Sequence, residues 1–454
     1  MDSRTKNLTQ GSPFRLLLSF SVPLMLGNIF QQLYTVVDTM IVGQVLHVQA
    51  LAALGASDWL NWLMLGLVQG LTQGFGIPMA HAFGAKDFGN LKKTIAASIK
   101  ICVVSAIVLT LAGQLLLTPV LKLLQTPSSI IANTRLYLRF MFMGVPIIMA
   151  YNLLACILRA LGDAKTPLHA MVVAAIVNIG LDLLFVAVFP FGIAGAATAT
   201  LIAQGVSATY CYLHLKKSEY FKLSREDFSS DMKRALKLLG LGAPMAMQNT
   251  MIALGGMIVQ SVVNSFEVVF IAGFTATNKL YGVLEIAATS YGYAIVTYTS
   301  QNIGAGRLDR VKNGTKAATG LSLLTSLVIA VVMLLGGKLL LRGFISGTPE
   351  EISGAMYYAY RYLALMSFNL PILYILYVFR SATQGMGDTV KPMLSGVAEF
   401  IMRLTGVMLL PSIFGCEGTF FAEIAAWYGA DLVLIPSYFI TYHKIRKSLQ
   451  KPSV

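Results

Sequence analysis

Charge is what this chain has least of. Only 12% of its residues are Asp, Glu, Lys or Arg, where a soluble domain carries about 25%. A soluble fold with 56% hydrophobic residues and a mean hydropathy of +0.70 would expose large apolar patches, so lipid is the expected solvent. Cysteine is scarce as well. Cys102, Cys156, Cys211 and Cys416 stand alone within or beside apolar runs, with no C-x-x-C pair, which argues against a disulfide framework or a thiolate metal site. The five histidines are scattered. No G-x-x-x-x-G-K-[ST], no H-E-x-x-H and no nucleophile elbow occurs, so neither nucleotide-driven work nor catalysis is expected and no cofactor is called for. A formal charge of +14 could suggest nucleic acid, but the basic residues sit in short loops between apolar spans rather than along one face. No cleavable signal peptide is expected: the first thirteen residues are polar, and the apolar run from Phe14 is too long for an h-region. The first helix is expected to act as an uncleaved insertion signal.

What the chain does have is a duplication. Gly162-Asp163 opens Gly-Asp-Ala-Lys-Thr-Pro, ending at Pro167, and Gly387-Asp388 opens Gly-Asp-Thr-Val-Lys-Pro, ending at Pro392, 225 positions on. Gly84-Ala85 recurs as Gly304-Ala305 (220), Pro23 as Pro244 (221) and Gly195 as Gly418 (223). Four landmarks in one order at nearly one offset mark a repeat far too long for a solenoid. It has the size of a six-helix membrane bundle, and duplicated bundles are a common plan for transporters.

A spanning helix needs about 20 mostly apolar residues. Twelve such spans are expected: 14–40, 50–82, 94–120, 132–158, 167–189 and 193–215, then 237–263, 269–301, 314–341, 354–381, 392–411 and 417–442. Residues 1–215 would form an N-lobe, 216–236 a polar cytoplasmic linker and 237–454 a C-lobe with a short basic tail. Of the 34 lysines and arginines, 25 fall on one side, Arg4, Arg159, Arg380 and Lys451 among them. Six fall on the other, and Lys100, Lys279 and Arg403 lie within spans. The rule that cytoplasmic loops are basic then puts both termini in the cytoplasm. Both halves share that orientation, so the repeats are parallel.

An ionisable side chain in the hydrocarbon is a functional candidate. Asn28, Gln31, Thr35 and Asp38 are spaced 3, 4 and 3, one stripe on the first helix. Asn178 and Asp182 share a face of the fifth span, and Thr200 on the sixth could add a hydroxyl. Two carboxylates, an amide and a hydroxyl suit a proton or a Na⁺ ion equally. Glu399 and Arg403, four apart, are expected to neutralise each other. Lys279 and Glu285, six apart, each need another partner. Glu423 and Asp431 are weaker candidates, near span ends or facing a neighbouring helix. Met245, Gln248, Asn249 and Met251 on the seventh helix, with Tyr281 and Glu285 on the eighth, are candidates with Asn28, Gln31 and Thr35 for a substrate cavity. Adaptable methionines tolerate varied apolar ligands and aromatic faces attract cations.

These residues resemble the multidrug and toxic compound extrusion (MATE) transporters over nearly the whole chain. The resemblance is carried by Pro23 and Asp38, Gly84-Ala85, Arg159-Ala-Leu-Gly-Asp-Ala-Lys-Thr-Pro167, Asn178-x-x-x-Asp182 and Gln384-Gly-Met-Gly-Asp-Thr-Val-Lys-Pro392. It implies an all-α membrane protein whose twelve transmembrane helices form two parallel six-helix repeats around a V-shaped cleft. It also implies cation-coupled export by alternating access. Asp38, Asn178, Asp182 and Thr200 match the cation site of the DinF-like branch, and Pro23 matches the proline where that branch's first helix bends. The carboxylate that the NorM-like branch carries in its seventh helix is missing from Met245-Ala-Met-Gln-Asn-Thr-Met251. The expected partners are a small-molecule substrate and the lipid bilayer, with no nucleic acid, for a monomer in the cell membrane. An exporter of amphiphilic, cationic organic compounds leads. A lipid-linked saccharide flippase of the same superfamily is the alternative, and it would need a basic cavity.

Overall fold

A computed structural model describes residues 6–229 and 231–450; Arg4 and Lys451 lie outside them. Every regular element among the described residues is helical. In order these are α1 Pro13–Val45, α2 His47–Gly84, α3 Phe88–Leu123, α4 Ile131–Met143, α5 Val145–Ala160, α6 Lys165–Asp182 and α7 Gly192–Leu215. The second half holds α8 Met232–Val263, α9 Val268–Gly304, α10 Leu308–Arg342, α11 Pro349–Gly385, α12 Val390–Phe414 and α13 Gly418–Gln450.

Thirteen helices make the twelve expected spans, because α4 and α5 are one span bent by 48°. The bend falls at Gly144, where a β-carbon would strike Leu201. Pro146 follows, and a proline lacks an amide donor and restricts the residue before it. By length and apolarity alone, eight helical stretches among the described residues could cross a membrane, or nine with that bent pair. One of them, Val390–Gln450, holds 61 residues, more than two membrane crossings need at about 20 residues each. Gly415, at φ 64°, breaks it into α12 and α13.

The duplicated landmarks occupy matching places in the two halves. Gly162 and Gly387, at φ +81° and +89°, both turn the chain from the fourth span into the fifth. The aspartate after each then caps the next helix: Asp163 Oδ1 accepts from the amides of Lys165 and Thr166 at 3.0 Å, and Asp388 Oδ1 from that of Lys391 at 3.3 Å. The Gly-Asp signal is therefore a helix stop and a helix start in two residues. After Gly84-Ala85 the left-handed position is Lys86 (φ 58°), and after Gly304-Ala305 it is Gly306 (φ 69°).

The chain divides into two compact units, residues 1–7 with 22–246 and residues 8–21 with 247–454. The division falls inside α1 just before Pro23, and inside α8 just after Pro244. In the first unit, the start of α8 lies so close on α2 that a β-carbon at Gly70 would meet the Ala246 backbone, and one at Gly74 the Gly242 backbone. Two small residues four apart on each helix are what permits such an approach in lipid. Arg234 anchors the same end, its Nη1 3.1 Å from Thr94 Oγ1.

The second unit is held differently. Phe270, Phe274, Tyr362 and Phe420 stack, with Tyr362 4.6 Å from Phe420 and 4.9 Å from Phe274. Helix α9 is pinned to α11 where Thr277 Oγ1 donates to the Ala359 carbonyl (2.9 Å) and Tyr374 OH to that of Leu284 (2.8 Å). The segment before α1 is tied in by the Leu8 amide to Gln301 Oε1 (2.9 Å) and by Arg310 Nη2 to the Gly11 carbonyl (2.9 Å).

One basic residue departs from expectation, and Lys100 keeps its expected place within a span. Arg380 lies inside α11 and is buried, instead of in a cytoplasmic loop. Lys100 is exposed on α3 and donates to the Phe228 carbonyl of the linker, so its long stem carries the charge out to the polar segment.

Candidate functional site

In the first unit, α1 brings Asp38 and α6 brings Asn178 and Asp182. Asn178 and Asp182 have no exposed surface and Asp38 has 8%. Five of their polar atoms are buried without a hydrogen-bond partner: Asp38 Oδ1, both side-chain atoms of Asn178 and both carboxylate oxygens of Asp182. Asp38 and Asp182 are electrostatic neighbours. Burying one unpaired carboxylate costs several kcal/mol, and two orphaned carboxylates this close disfavour double ionisation more strongly still. The local fold asks for a neutralising cation, either a proton or a small metal ion.

Around these groups α1 and α6 are mostly apolar. Directly after Asp182 the helix loosens into a π-helical turn, Leu183–Val188, before Phe189-Pro190 ends it. Such widened turns often lie beside functional groups, and Pro190 explains the stop.

Thr200 lies half-buried on α7, its hydroxyl donating to the Ala196 carbonyl at 3.1 Å. No hydrogen bond joins it to Asp38, Asn178 or Asp182, although its oxygen lone pairs remain available to a cation. Two residues absent from the expected set belong here. Gln204 Nε2 donates to Tyr34 OH at 3.3 Å, and Gln204 Oε1 is another buried orphan. Helix arithmetic could have found both: Tyr34 is four residues before Asp38 and Gln204 four after Thr200. The expected stripe on α1 is only partly internal. Asp38 and Tyr34 are buried, Asn28 and Gln31 half-buried, and Thr35 is exposed with its hydroxyl on the Gln31 carbonyl at 3.0 Å. Pro23 is half-buried inside α1, where nearby serines bond back to their own helix: Ser21 Oγ reaches the Leu18 carbonyl at 3.2 Å.

Among the remaining cavity candidates, Met245 is buried in the first unit, while Asn249 and Met251 are half-buried in the second. Gln248 is buried and accepts from Gln384 Nε2 at 3.1 Å. Tyr281 and Glu285 are half-buried on α9, and Tyr377 OH donates to Glu285.

The MatE family model matches residues 23–184 and 244–408, once in each half. This chain belongs to the MatE family. A relative from Bacillus subtilis (strain 168), the probable multidrug resistance protein YpnP, is 31% identical over 413 residues, covering 91% of this chain and 92% of its own. A second from that organism, the probable multidrug resistance protein YoeA, is 25% identical over 446 residues, covering 96% and 94%. A solved MOP superfamily transporter from Pyrococcus furiosus superposes with a TM-score of 0.90 at 20% identity, covering 99% of this chain and all of that one. The MatE assignment makes this a multi-pass membrane transporter rather than an enzyme, and the family fold accounts for the duplicated six-span plan.

The buried charges of this MatE chain's second unit correct the sequence reading. Glu399 and Arg403 do not chiefly neutralise each other: they are 3.8 Å apart. Arg403 instead grips Glu423 with two bonds, Nε to Oε2 at 2.8 Å and Nη2 to Oε1 at 2.6 Å, and Glu399 pairs with Arg380. Glu423 also accepts from Trp427 Nε1 at 3.2 Å. Neither Glu423 nor Asp431 is peripheral, since both face this network from α13.

Proposed function

We propose that this chain is a cell-membrane antiporter exporting amphiphilic, cationic organic compounds in exchange for H⁺ or Na⁺, with both termini cytoplasmic. The observation that carries this reading is the set of five orphaned polar atoms on Asp38, Asn178 and Asp182. A transporter that uses an ion gradient needs a site whose neutral and charged states differ greatly in energy, and unpartnered carboxylates in the membrane supply that difference. Hard oxygens from two carboxylates, an amide and the Thr200 hydroxyl would suit Na⁺; the same carboxylates would take protons. The multidrug resistance names of the relatives support drug export.

The cycle follows from the helix that carries Asp38. Pro23 removes a backbone hydrogen bond from α1 and permits a bend. Neutralising Asp38 and Asp182 changes which α1 geometry is favoured, the bend alters the cavity, and substrate leaves outward. A flippase for lipid-linked saccharides would need a basic pocket for pyrophosphate, and the orphaned groups of the first unit are acidic instead. The test is Asp38→Asn, which keeps the shape and removes the titratable charge. Gradient-driven efflux should be lost with normal expression; retained efflux would reduce Asp38 to a structural residue.

A further inference from the structure

The second unit holds more buried acid than base. Glu285 on α9, Glu399 on α12, and Glu423 and Asp431 on α13 meet Arg380 on α11 and Arg403 on α12, four carboxylates against two guanidiniums. Glu399, Arg380, Arg403 and Asp431 are each 7% exposed or less. Lys279, the cation on α9, is exposed. The titratable neighbours facing the network are Tyr281 on α9 and Tyr362, Tyr374 and Tyr377 on α11. Fully ionised, the network would hold two uncompensated negative charges in the membrane, a state that costs several kcal/mol per charge.

The ion pairs show which acids are the surplus. Arg380 takes Glu399 and Arg403 takes Glu423. Among the described residues, Glu285 forms no ion pair and accepts the Tyr377 hydroxyl. Asp431 forms none either, and its Oδ1 is buried without a partner, as is Arg380 Nε close by. The oxygens of Glu399 and Glu423 already accept from arginine and tryptophan donors, which leaves the two surplus carboxylates, on different helices, to be neutralised singly. A proton is the cation that fits.

We propose that Glu285 and Asp431 each carry a proton at neutral pH, which makes the second unit a proton-carrying site separate from Asp38 and Asp182. The two acids communicate through named contacts: Tyr377 bonds Glu285 and lies 5.8 Å beneath Arg380, which pairs with Glu399 beside Asp431. Glu285, half-buried where Asp431 is buried, is the one that exchanges its proton. This assignment does not depend on how the first unit is read.

The experiment uses the purified full chain in lipid, with Asp38→Asn and Asp182→Asn removing the first unit's acids. The infrared carbonyl band of protonated carboxylic acids should persist at neutral pH in that background. Glu285→Gln and then Asp431→Asn should remove it in two similar steps. Because an amide imitates a protonated acid, both variants should keep wild-type thermal stability, whereas Glu423→Gln and Glu399→Gln should lower it by orphaning an arginine. Absence of the band in the doubly substituted background, or a band untouched by Glu285→Gln and Asp431→Asn, overturns the assignment. A second readout leaves the network native: with Trp59→Phe and Trp62→Phe, Trp427 is the sole tryptophan. Its emission should titrate between neutral and alkaline pH, and a flat response would equally overturn the proposal.

Discussion

Removing Arg403 should destabilise this protein more than removing any exposed charge, and the geometry says by how much. In Arg403→Met, Glu423 loses both guanidinium bonds and keeps only Trp427 Nε1 at 3.2 Å. Glu399, 3.8 Å from Arg403, keeps its main partner Arg380, so the principal orphan is Glu423, 13% exposed at its side chain. Leaving a buried charge uncompensated costs about 3–5 kcal/mol. Uptake of a proton by Glu423 caps that cost. Arg403→Met combined with Glu423→Gln removes the orphan and should recover more than half of the loss. The contrast is Arg361, whose pair with Glu417 at 2.9 Å sits on a half-exposed arginine; Arg361→Ala should cost at most about 1 kcal/mol. Thermal unfolding in detergent, followed by the monodisperse fraction remaining after heating, ranks the four proteins. At about 2–4 °C per kcal/mol for a unit of this size, Arg403→Met should melt on the order of 10 °C early. A wild-type midpoint for Arg403→Met, or a double variant no better than the single one, would refute the reasoning.

Gly74→Val should lower stability by about 1–3 kcal/mol, because the added carbons meet the Gly242 backbone of α8. Gly320→Ala, where a methyl meets open space, should be neutral or stabilising by up to about 1 kcal/mol; thermal unfolding checks both. Pro23→Ala should impair transport while leaving ²²Na⁺ or proton binding by the first unit largely intact, and normal transport would remove the hinge from the mechanism. Burial alone would raise the Asp388 carboxyl, but the Lys391 ammonium at 2.6 Å, the Lys391 amide and the Thr441 hydroxyl at 3.0 Å outweigh it and hold the carboxyl below its usual range. Its contribution is therefore complete above the unfolded value of 3.8 and fades only as pH falls through the lower folded value. Asp388→Asn should cost about 1–2 kcal/mol at neutral pH and little in strong acid, measured as the difference in thermal midpoint across a pH series.

The spans and the duplication were legible because both are written in local chemistry. Apolar length, Gly-Asp turns and helix-ending prolines act within a few residues of themselves, and the expected spans follow the observed helices. The need for glycine at the Gly144 bend escaped notice because the side chain that leaves no room for a β-carbon there is Leu201, far along the chain. The acids of the first unit stood out as isolated charges on apolar helices, and helical spacing alone brought Asn178 and Asp182 together. The second unit resisted for the opposite reason. Arg380 and Glu423 lie close to span ends in the sequence, and only packing of α11, α12 and α13 shows that they are internal and which acid each arginine takes. Spacing paired Glu399 with Arg403; the better geometry across helices paired them with others.

The central claim is that flow of a cation through the first unit drives export. Its most direct test is ethidium movement in proteoliposomes holding the purified chain, with H⁺ and Na⁺ gradients imposed separately. At least one gradient should accelerate ethidium transport against its own concentration difference, and Asp38→Asn should abolish that acceleration. Ethidium flux that is the same with either gradient and with none would contradict the account.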